Sequence, residues 1–283
     1  MTEVAFSFIF SFILIFLIIQ VCNKIGIVKD PLSDRFRDKA VPFIGGLGFI
    51  IAAPLMLANI PFYQHWIVMG SLVLFLLGFY DDFYIVHPYS KLIIQTVVAV
   101  TLALGGFRFH IFDSYILNNV LSIVWIVGLI NAFNLMDNMD GLAIGIAGII
   151  FFIFYCLTGN IMALILLGTC LAFLMFNFPP ASIFMGDCGS MFLGYWIAVF
   201  SLWLQPDFNM SMGIALIVFI LFMDTSWVII FRTVERRSIF IGGTDHISHM
   251  IVHGGNTERK TILIMWLITV VTGFIGYWFI GAG

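Results

Sequence analysis

The sequence predicts an all-α, polytopic membrane protein, and two properties of the chain lead to that class. Its 283 residues are 62% hydrophobic and only 10% charged, with a mean hydropathy of +1.12. A soluble domain is about half apolar and about a quarter charged. The apolar residues also gather into long uninterrupted stretches, which is typical of spans through a bilayer. We therefore expect the lipid bilayer to be the solvent of this chain, and its first partner.

About ten stretches are apolar enough to be transmembrane helices, each near the roughly 20 residues that a span requires. The first lacks a basic leader and a cleavage site, so we interpret it as an uncleaved span. The longest polar stretches are too short to be separate domains, which predicts one integral-membrane domain over 1–283. The ten stretches are 4–22, 43–60, 66–80, 91–106, 117–136, 142–158, 161–177, 190–205, 211–231 and 261–280.

The basic residues predict the orientation of these spans. Loops on the cytoplasmic side of a membrane are enriched in Lys and Arg. With ten spans, eleven of the twelve Lys and Arg residues lie in or beside the loops of one face, and Arg108 is the exception. The sequence thus predicts that this face is cytoplasmic and that both termini lie outside. The loops of that face are 23–42, 81–90, 137–141, 178–189 and 232–260.

The acidic and histidine clusters of the chain fall on the same predicted face. A carboxylate at the end of a span is often merely interfacial, and one can cap a helix, but adjacent like charges near hydrocarbon are easier to explain if a cation lies between them. The spacing of Asp137 and Asp140 predicts that both share one helix face with Asn134. The clusters are Asp81 and Asp82 in "GFYDDF", Asp137 and Asp140 in "NLMDNMDG", Asp187 in "FMGDCGS", and His246 and His249 in "DHISHM".

These residue types favour phosphoryl transfer. Carboxylate and amide oxygens, with no cysteine or histidine pair at metal-ligand spacing, favour a hard cation such as Mg²⁺ or Mn²⁺. Lys39, Lys91 and the histidine-bearing last loop would suit a polyphosphate. A site at the membrane boundary predicts one lipid substrate and one cytoplasmic nucleotide. The active site is therefore expected on the cytoplasmic face.

Other classes fit the residues less well. A transporter or ion channel places carboxylates near the bilayer midplane, and Asp224 is the only acidic residue well inside a predicted span. The "DGLAIG" segment lacks the arginine of a CDP-alcohol phosphotransferase, and the histidine and arginine motifs of a lipid phosphatase are missing. Gly141 and Gly145 have the small-xxx-small form of close helix packing.

Seven segments together give the chain a family resemblance. The chain resembles the polyprenyl-phosphate N-acetylhexosamine-1-phosphate transferases, and within them the N-acetylglucosamine-1-phosphate branch more than the muramoyl-pentapeptide branch. This group includes the enzymes that start the lipid intermediates of peptidoglycan, teichoic acid and O-antigen. The segments, in family order, are "VPFIGGLGF" (41–49), "GFYDDF" (78–83), "SKLIIQ" (90–95), "NAFNLMDNMDGLAIG" (131–145), "NFPPASIFMGDCGSMFLG" (177–194), "MDTSWVIIFR" (223–232) and "RRSIFIGGTDHISHMI" (236–251).

The resemblance implies a Mg²⁺-dependent enzyme of the bacterial inner membrane. It would transfer a HexNAc-1-phosphate, with GlcNAc expected, from a UDP-sugar to undecaprenyl phosphate and release UMP. The same chemistry with QuiNAc, FucNAc or MurNAc-pentapeptide as the sugar is the alternative. A homodimer is compatible with the resemblance, and no nucleic-acid partner is expected.

The resemblance also implies a role for each site residue. Mg²⁺ would lie at Asp187 and Asn134, and Asp81 and Asp82 would orient or deprotonate the lipid phosphate. The remaining residues would bind substrate. At the nucleoside these would be Asn177, Phe184 and Asp140, and at the phosphates Lys39, Lys91, His246 and His249. Asp137 would be a further substrate-binding residue.

Three positions depart from the family pattern. Ser248 stands where the family often has the middle histidine of His-x-His-His, and Met250 where an arginine is common. Asn138 replaces a frequent glycine in "DGxDGL".

Overall fold

A computed structural model describes residues 2–29, 40–238 and 243–281, and these residues form an all-helical protein, as the sequence predicts. Lys29 and Val41 add an isolated antiparallel bridge. Lys39 lies outside the described residues. The helices are α1 Thr2–Ile25, α2 Ala52–Asn59, α3 His65–Phe83, α4 Pro88–Leu104, α5 Tyr115–Met136, α6 Leu142–Thr158, α7 Ile161–Asn177, α8 Gly186–Trp203, α9 Phe208–Ile217, α10 Phe219–Val234, α11 Ile247–His253 and α12 Glu258–Gly281, with 3₁₀ turns at Gly45–Phe49 and Phe62–Gln64.

Within the described ranges, four helical segments are long and apolar enough to cross a membrane by themselves. They are α1, Phe62–Phe83, α5 and α12. Helices α9 and α10 pass the same test as a pair that is bent by 74°, which makes a fifth. The count of ten spans and the placement of both termini outside stay predictions.

The predicted span 43–60 is not one helix. Its glycine segment instead pairs with the entry to α8: Gly45 N donates to Phe184 O at 2.9 Å, and Gly46 N donates to Met185 O at 2.8 Å. A Cβ on Gly46 would lie 2.4 Å from Gly189 N. Two backbones can approach this closely only where side chains are absent. The glycines therefore interrupt the helix and fix the start of α8.

Helix α8 lies at the centre of the bundle. Every residue from Cys188 to Leu202 is buried, because α8 packs between α3 and α5. The Tyr195 hydroxyl donates to Ile67 O at 2.6 Å, and this contact ties α8 to α3. The central helix consequently carries its first-turn carboxylate, Asp187, into a position surrounded by other helices.

The two ends of the bundle differ in chemistry. At one end, where α3 begins and α4 and α8 terminate, aromatic rings meet: Trp66 lies 6.0 Å from Phe107, which lies 5.4 Å from Trp203. At the opposite end α3 and α5 terminate and α4 and α8 begin, and the polar motifs gather there. The described parts of the loops that are predicted to share one face thus lie at one end of the bundle.

The two glycines of "GLAIG" have separate functions in the fold. The indole of Trp266 lies against Gly145, where a Cβ would be only 2.0 Å from Cε2, so Gly145 lets α12 approach α6. Close packing is confirmed for this residue. Gly141, with φ of 74°, instead forms the left-handed start of α6.

Candidate active site

Four charged side chains from three helices meet at the polar end of the bundle. We call Asp81, Asp82, Lys91 and Asp187, together with Asn134, the carboxylate–lysine cluster. Lys91 Nζ donates to Asp187 Oδ2 at 2.9 Å and also pairs with Asp81 Oδ2. Two carboxylates therefore pair with one ammonium group, and Asp82 adds a third negative charge to the cluster. An excess of negative charge at partly buried positions creates a demand for a further cation.

The adjacent residues Asp81 and Asp82 point in different directions. Asp82 accepts hydrogen bonds from the backbone N–H groups of Asp187, at 2.8 Å, and Cys188, at 3.2 Å. It thereby satisfies donors that the first turn of α8 leaves unpaired. Asp81 accepts from Val86 N at 2.6 Å and faces Lys91. Asp82 holds the start of α8, while Asp81 faces the ammonium group.

Gly186 makes this arrangement possible. Its φ of 67° lies in the left-handed region, and a Cβ there would come within 2.4 Å of Phe43 O and 2.6 Å of Asp82 Oδ2. Only glycine combines that backbone angle with such a close approach. The glycine before Asp187 is thus a requirement for the contact between α3 and α8.

Asn134 completes the cluster from α5. Its amide nitrogen donates to Asp187 Oδ1 at 3.2 Å and to Ser190 Oγ at 2.7 Å. The predicted helix face shared with Asp137 and Asp140 is wrong, because α5 ends at Met136 and Asp137 is already the C-cap. Residues 137–141 form a turn, so Asn134 and Asp140 point to different partners.

A second group of predicted residues lies between that turn and the segment before α8. Asn177 Oδ1 accepts from Gly141 N at 2.9 Å, and its Nδ2 donates to Ile183 O at 2.8 Å. Asp140 Oδ2 accepts from Ala181 N at 3.2 Å. Phe184 follows Ile183 in the same segment, and its side chain is buried. The structure thus links Asn177 and Asp140 to the segment that carries Phe184, and their predicted role in binding the nucleoside stays a prediction.

A third group surrounds the last loop. We call Asp224, His246, Ser248 and His249, together with Asn138, the histidine cluster. Asp224 Oδ2 lies 2.7 Å from His246 Nδ1, and Asp224 Oδ1 accepts from Ile247 N at 2.9 Å. The imidazole rings are 6.1 Å apart. An ionised Asp224 requires the proton of His246 on Nδ1, which leaves Nε2 for another partner.

Asp224 belongs to the histidine cluster, although the sequence gives it no place in the predicted site. It is the only acidic residue well inside a predicted span, and in the structure it is buried and holds the start of α11. The same loop is fixed again by Asp245, which accepts from Arg232 Nε at 2.9 Å and from Arg237 at 2.7 Å. The hydrogen bond from Arg237, and next that from Arg232, lowers the pKa of Asp245 below its usual range. Asp224 and His246 are 22 positions apart in the chain, so no regular spacing in the sequence predicts their contact.

A groove of about 680 Å³ runs from the carboxylate–lysine cluster between α4, α5 and α10. Lys91, Asn134 and Arg232 line its polar end. The remainder is mostly apolar, with Thr96, Asn131 and Thr225 as its polar side chains, and its apolar lining includes Leu92, Ile123, Val124, Val127 and Ile229. Val124 and Ile229 are exposed on the outside of the bundle. The groove therefore joins an ionic site to the surface that would face lipid.

The carboxylate–lysine cluster has the chemistry of a magnesium site. No group of three His, Cys, Asp or Glu side chains within 2–29, 40–238 and 243–281 is arranged as a metal centre. Magnesium, however, usually takes one or two carboxylates and completes its shell with water and phosphate. Asp81 and Asp187 already hold a cation, the Lys91 ammonium, between them. These two carboxylates fit Mg²⁺, and the amide oxygen of Asn134 would join them if the amide, whose Nδ2 now donates to Asp187, rotated.

Long apolar helices with an ionic cluster at one end define the class of this protein: it is a multi-pass membrane protein with a site that resembles those of enzymes. The comparison with known proteins then gives the family. The model of glycosyl transferase family 4 matches residues 65–205, and the chain belongs to this family.

Curated relatives match almost the whole chain. A probable undecaprenyl-phosphate N-acetylglucosaminyl 1-phosphate transferase of Bacillus subtilis is 31% identical over 97% of this chain and 83% of its own length. A phospho-N-acetylmuramoyl-pentapeptide-transferase of Lacticaseibacillus paracasei is 31% identical over 94% and 93%. An undecaprenyl-phosphate alpha-N-acetylglucosaminyl 1-phosphate transferase of Thermotoga maritima is 27% identical over 95% and 87%.

Proposed function

We propose that this protein transfers a HexNAc-1-phosphate from a UDP-sugar to undecaprenyl phosphate and releases UMP. GlcNAc is the expected sugar. The observation that carries the proposal is the joining of a net-negative carboxylate–lysine cluster to an apolar groove of about 680 Å³. The activities named for the relatives support the same reaction.

The groove would hold the lipid substrate. An isoprenoid chain is apolar and fits a lining of Leu, Ile and Val side chains. Its phosphate would then lie at the polar end, beside the Lys91 ammonium and the Arg232 guanidinium. This placement brings the phosphate to Asp81 and Asp187.

The reaction is one displacement at phosphorus. An oxygen of the lipid phosphate attacks the β-phosphorus of the UDP-sugar, and the bond from that phosphorus to the α–β bridging oxygen breaks. UMP carries away the electron pair of the broken bond, and the lipid keeps a diphosphate linked to the sugar. Asp81 accepts the proton of a protonated lipid phosphate, and Lys91 offsets charge on the phosphates.

Asp187 and Asn134, with Asp81 opposite, would hold Mg²⁺. When bound, the ion would supply Lewis-acid neutralisation of the pyrophosphate oxygens. Asp82 keeps Asp187 in place through the backbone of α8. The donor set of two carboxylates and one amide supports this cofactor.

The other predicted residues would hold the nucleotide sugar. Asn177, Asp140 and Phe184 would shape the nucleoside site together with Asp137 in the 137–141 turn. His246 and His249 would contact the diphosphate or the sugar from the opposite side, with Lys39 as a further cation. The site would lie on the cytoplasmic face of a bacterial inner membrane, in a protein of ten spans with both termini outside.

The deciding assay measures UMP release by the purified protein with undecaprenyl phosphate, with and without Mg²⁺. UDP-GlcNAc is compared with UDP-GalNAc, UDP-QuiNAc, UDP-FucNAc and UDP-MurNAc-pentapeptide. Metal-dependent release with one donor supports the proposal and identifies the sugar. Folded protein that releases no UMP with any donor contradicts it.

A further inference from the structure

Helix α11 is too short to hold its own position. It has seven residues, Ile247–His253, and an isolated helix of two turns is unstable. Its histidines are nevertheless buried: His246 is 3% exposed and His249 is 1% exposed. Contacts from the rest of the protein must therefore fix this helix. Asp224 fixes its first residue.

A second contact fixes it from the other side. Ser248 Oγ donates to Asn138 Oδ1 at 2.7 Å, and Ser248 is completely buried. The amide of Asn138 is oriented for this contact because its Nδ2 donates to Leu135 O at 3.1 Å. This hydrogen bond joins the histidine loop to the 137–141 turn across 110 residues of chain.

The two partners are also two of the positions where the chain departs from the family pattern. The pattern often has a glycine at the position of Asn138 and a histidine at the position of Ser248. In this chain a serine hydroxyl and an asparagine amide stand there instead, and the two side chains are hydrogen-bonded to each other.

We propose that Asn138 and Ser248 form a positioning pair, which sets the distance of His246 and His249 from the turn that carries Asp137 and Asp140. The expected kinetic effect of this pair rests on the proposed function. Neither side chain is assigned to the chemistry. The pair acts through the histidines and therefore affects the KM for the nucleotide sugar more than the kcat.

The first experiment is a kinetic comparison of Ser248→Ala, Ser248→Thr and Asn138→Gly. Loss of one buried hydrogen bond should lower kcat/KM by about tenfold in the alanine and glycine variants. Ser248→Thr keeps the hydroxyl and should stay within about threefold of wild type. The double variant Asn138→Gly/Ser248→Ala removes both partners of the hydrogen bond and should lose no more activity than either single variant. Full activity in Ser248→Ala, or a double variant worse than Asn138→Gly, would overturn the pair.

A matched control separates positioning from stability. Ser201 is a buried serine that accepts a hydrogen bond from Trp125 Nε1 at 2.8 Å, far from the polar end. Ser201→Ala should lower the Tm about as much as Ser248→Ala while leaving the KM unchanged. An equal rise in KM in both variants would show a purely structural effect and contradict the proposal.

A measurement without turnover keeps the test independent of the proposed function. Hydrogen–deuterium exchange at the amides of 247–253 should be about tenfold faster in Ser248→Ala than in wild type. Ser248→Thr should return exchange to the wild-type rate. If wild type releases no UMP, the proposed function fails, and exchange alone decides on the pair. Unchanged exchange in Ser248→Ala would refute it.

Discussion

The carboxylate–lysine cluster and the histidine cluster are held in place by different means. The first lies on long helices, and backbone contacts of Asp82 with the start of α8 set its geometry. The second lies on a seven-residue helix that depends on side-chain contacts at Asp224 and Ser248. Composition also separates them, because the first holds three carboxylates and a lysine, whereas the second holds one carboxylate and two histidines. A rigid ionic site suits bond breaking, and an anchored short helix suits recognition.

The comparison predicts the kind of defect that each cluster yields. Changes in the carboxylate–lysine cluster should act mainly on kcat and on metal affinity. Changes in the histidine cluster should act mainly on the KM for the nucleotide sugar. Four variants can break or sharpen this division, from the largest expected effect to the smallest.

Asp187→Asn should have the largest effect, because it removes charge from the position nearest both Lys91 and Asn134. We expect kcat to fall by at least about 10²-fold, with insertion and folding retained. UMP release and the Tm in detergent measure the two properties. Asp113→Asn, which removes an exposed carboxylate on the other side of the bundle, is the control. Full turnover in Asp187→Asn would contradict the metal assignment.

Lys91→Met should separate metal affinity from turnover. Without the ammonium group, no cation of the protein competes with a metal ion for Asp81 and Asp187, so Mn²⁺ should bind several-fold more tightly. The kcat should nevertheless fall by about 10²-fold, since the phosphates lose their cation. Electron paramagnetic resonance of added Mn²⁺ and UMP release give the two numbers, with exposed Lys260→Met as control. Weaker Mn²⁺ binding would place the metal elsewhere.

Asp224→Asn should affect recognition and leave the metal untouched. It weakens the hold on His246 and on the Ile247 N–H group, so kcat/KM should fall by about tenfold, mainly through the KM. Mn²⁺ affinity should stay at the wild-type value. Asp207→Asn is the control, since asparagine also serves as an N-cap. A fall confined to kcat would erase the distinction between the clusters.

Gly186→Ala removes no charged group, so the effect that distinguishes it is on stability. A left-handed backbone costs about 1 kcal/mol or more for a residue with a Cβ. Gly159 has a similar φ of 63° but nothing within 4 Å of a Cβ, whereas Gly186 faces Phe43 O and Asp82. Gly186→Ala should therefore lower the Tm more than Gly159→Ala does. Equal shifts would mean that the contact with Asp82 is not rigid.

The sequence predicts the helical class and the gathering of Asp81, Asp82 and Asp187, since hydropathy and the distribution of Lys and Arg are both readable along the chain. It does not predict which carboxylate faces Lys91 and which caps α8, because that depends on packing between helices. The break in 43–60 arises from backbone pairing with residues 184 and 185. The turn after Met136 removes the helix face that regular spacing implies.

The link between Asp224 and His246 escapes sequence reasoning for a related reason. A carboxylate inside an apolar helix is ambiguous until its partner is known, and the partner belongs to a short element with no periodicity. The contact between Asn138 and Ser248 is hidden in the same way, although each residue can be noticed as unusual. Such long-range side-chain pairs are visible only in three dimensions.

The apolar groove has a consequence for how one would measure this protein. A substrate that enters from the side of the bundle arrives by diffusion in the plane of the bilayer. The rate then depends on the mole fraction of this substrate among the membrane lipids, whereas for the nucleotide sugar it depends on the molar concentration in solution. Added detergent should slow turnover by surface dilution at constant bulk amounts of both substrates. A rate constant for this protein is meaningful only with the composition of its membrane.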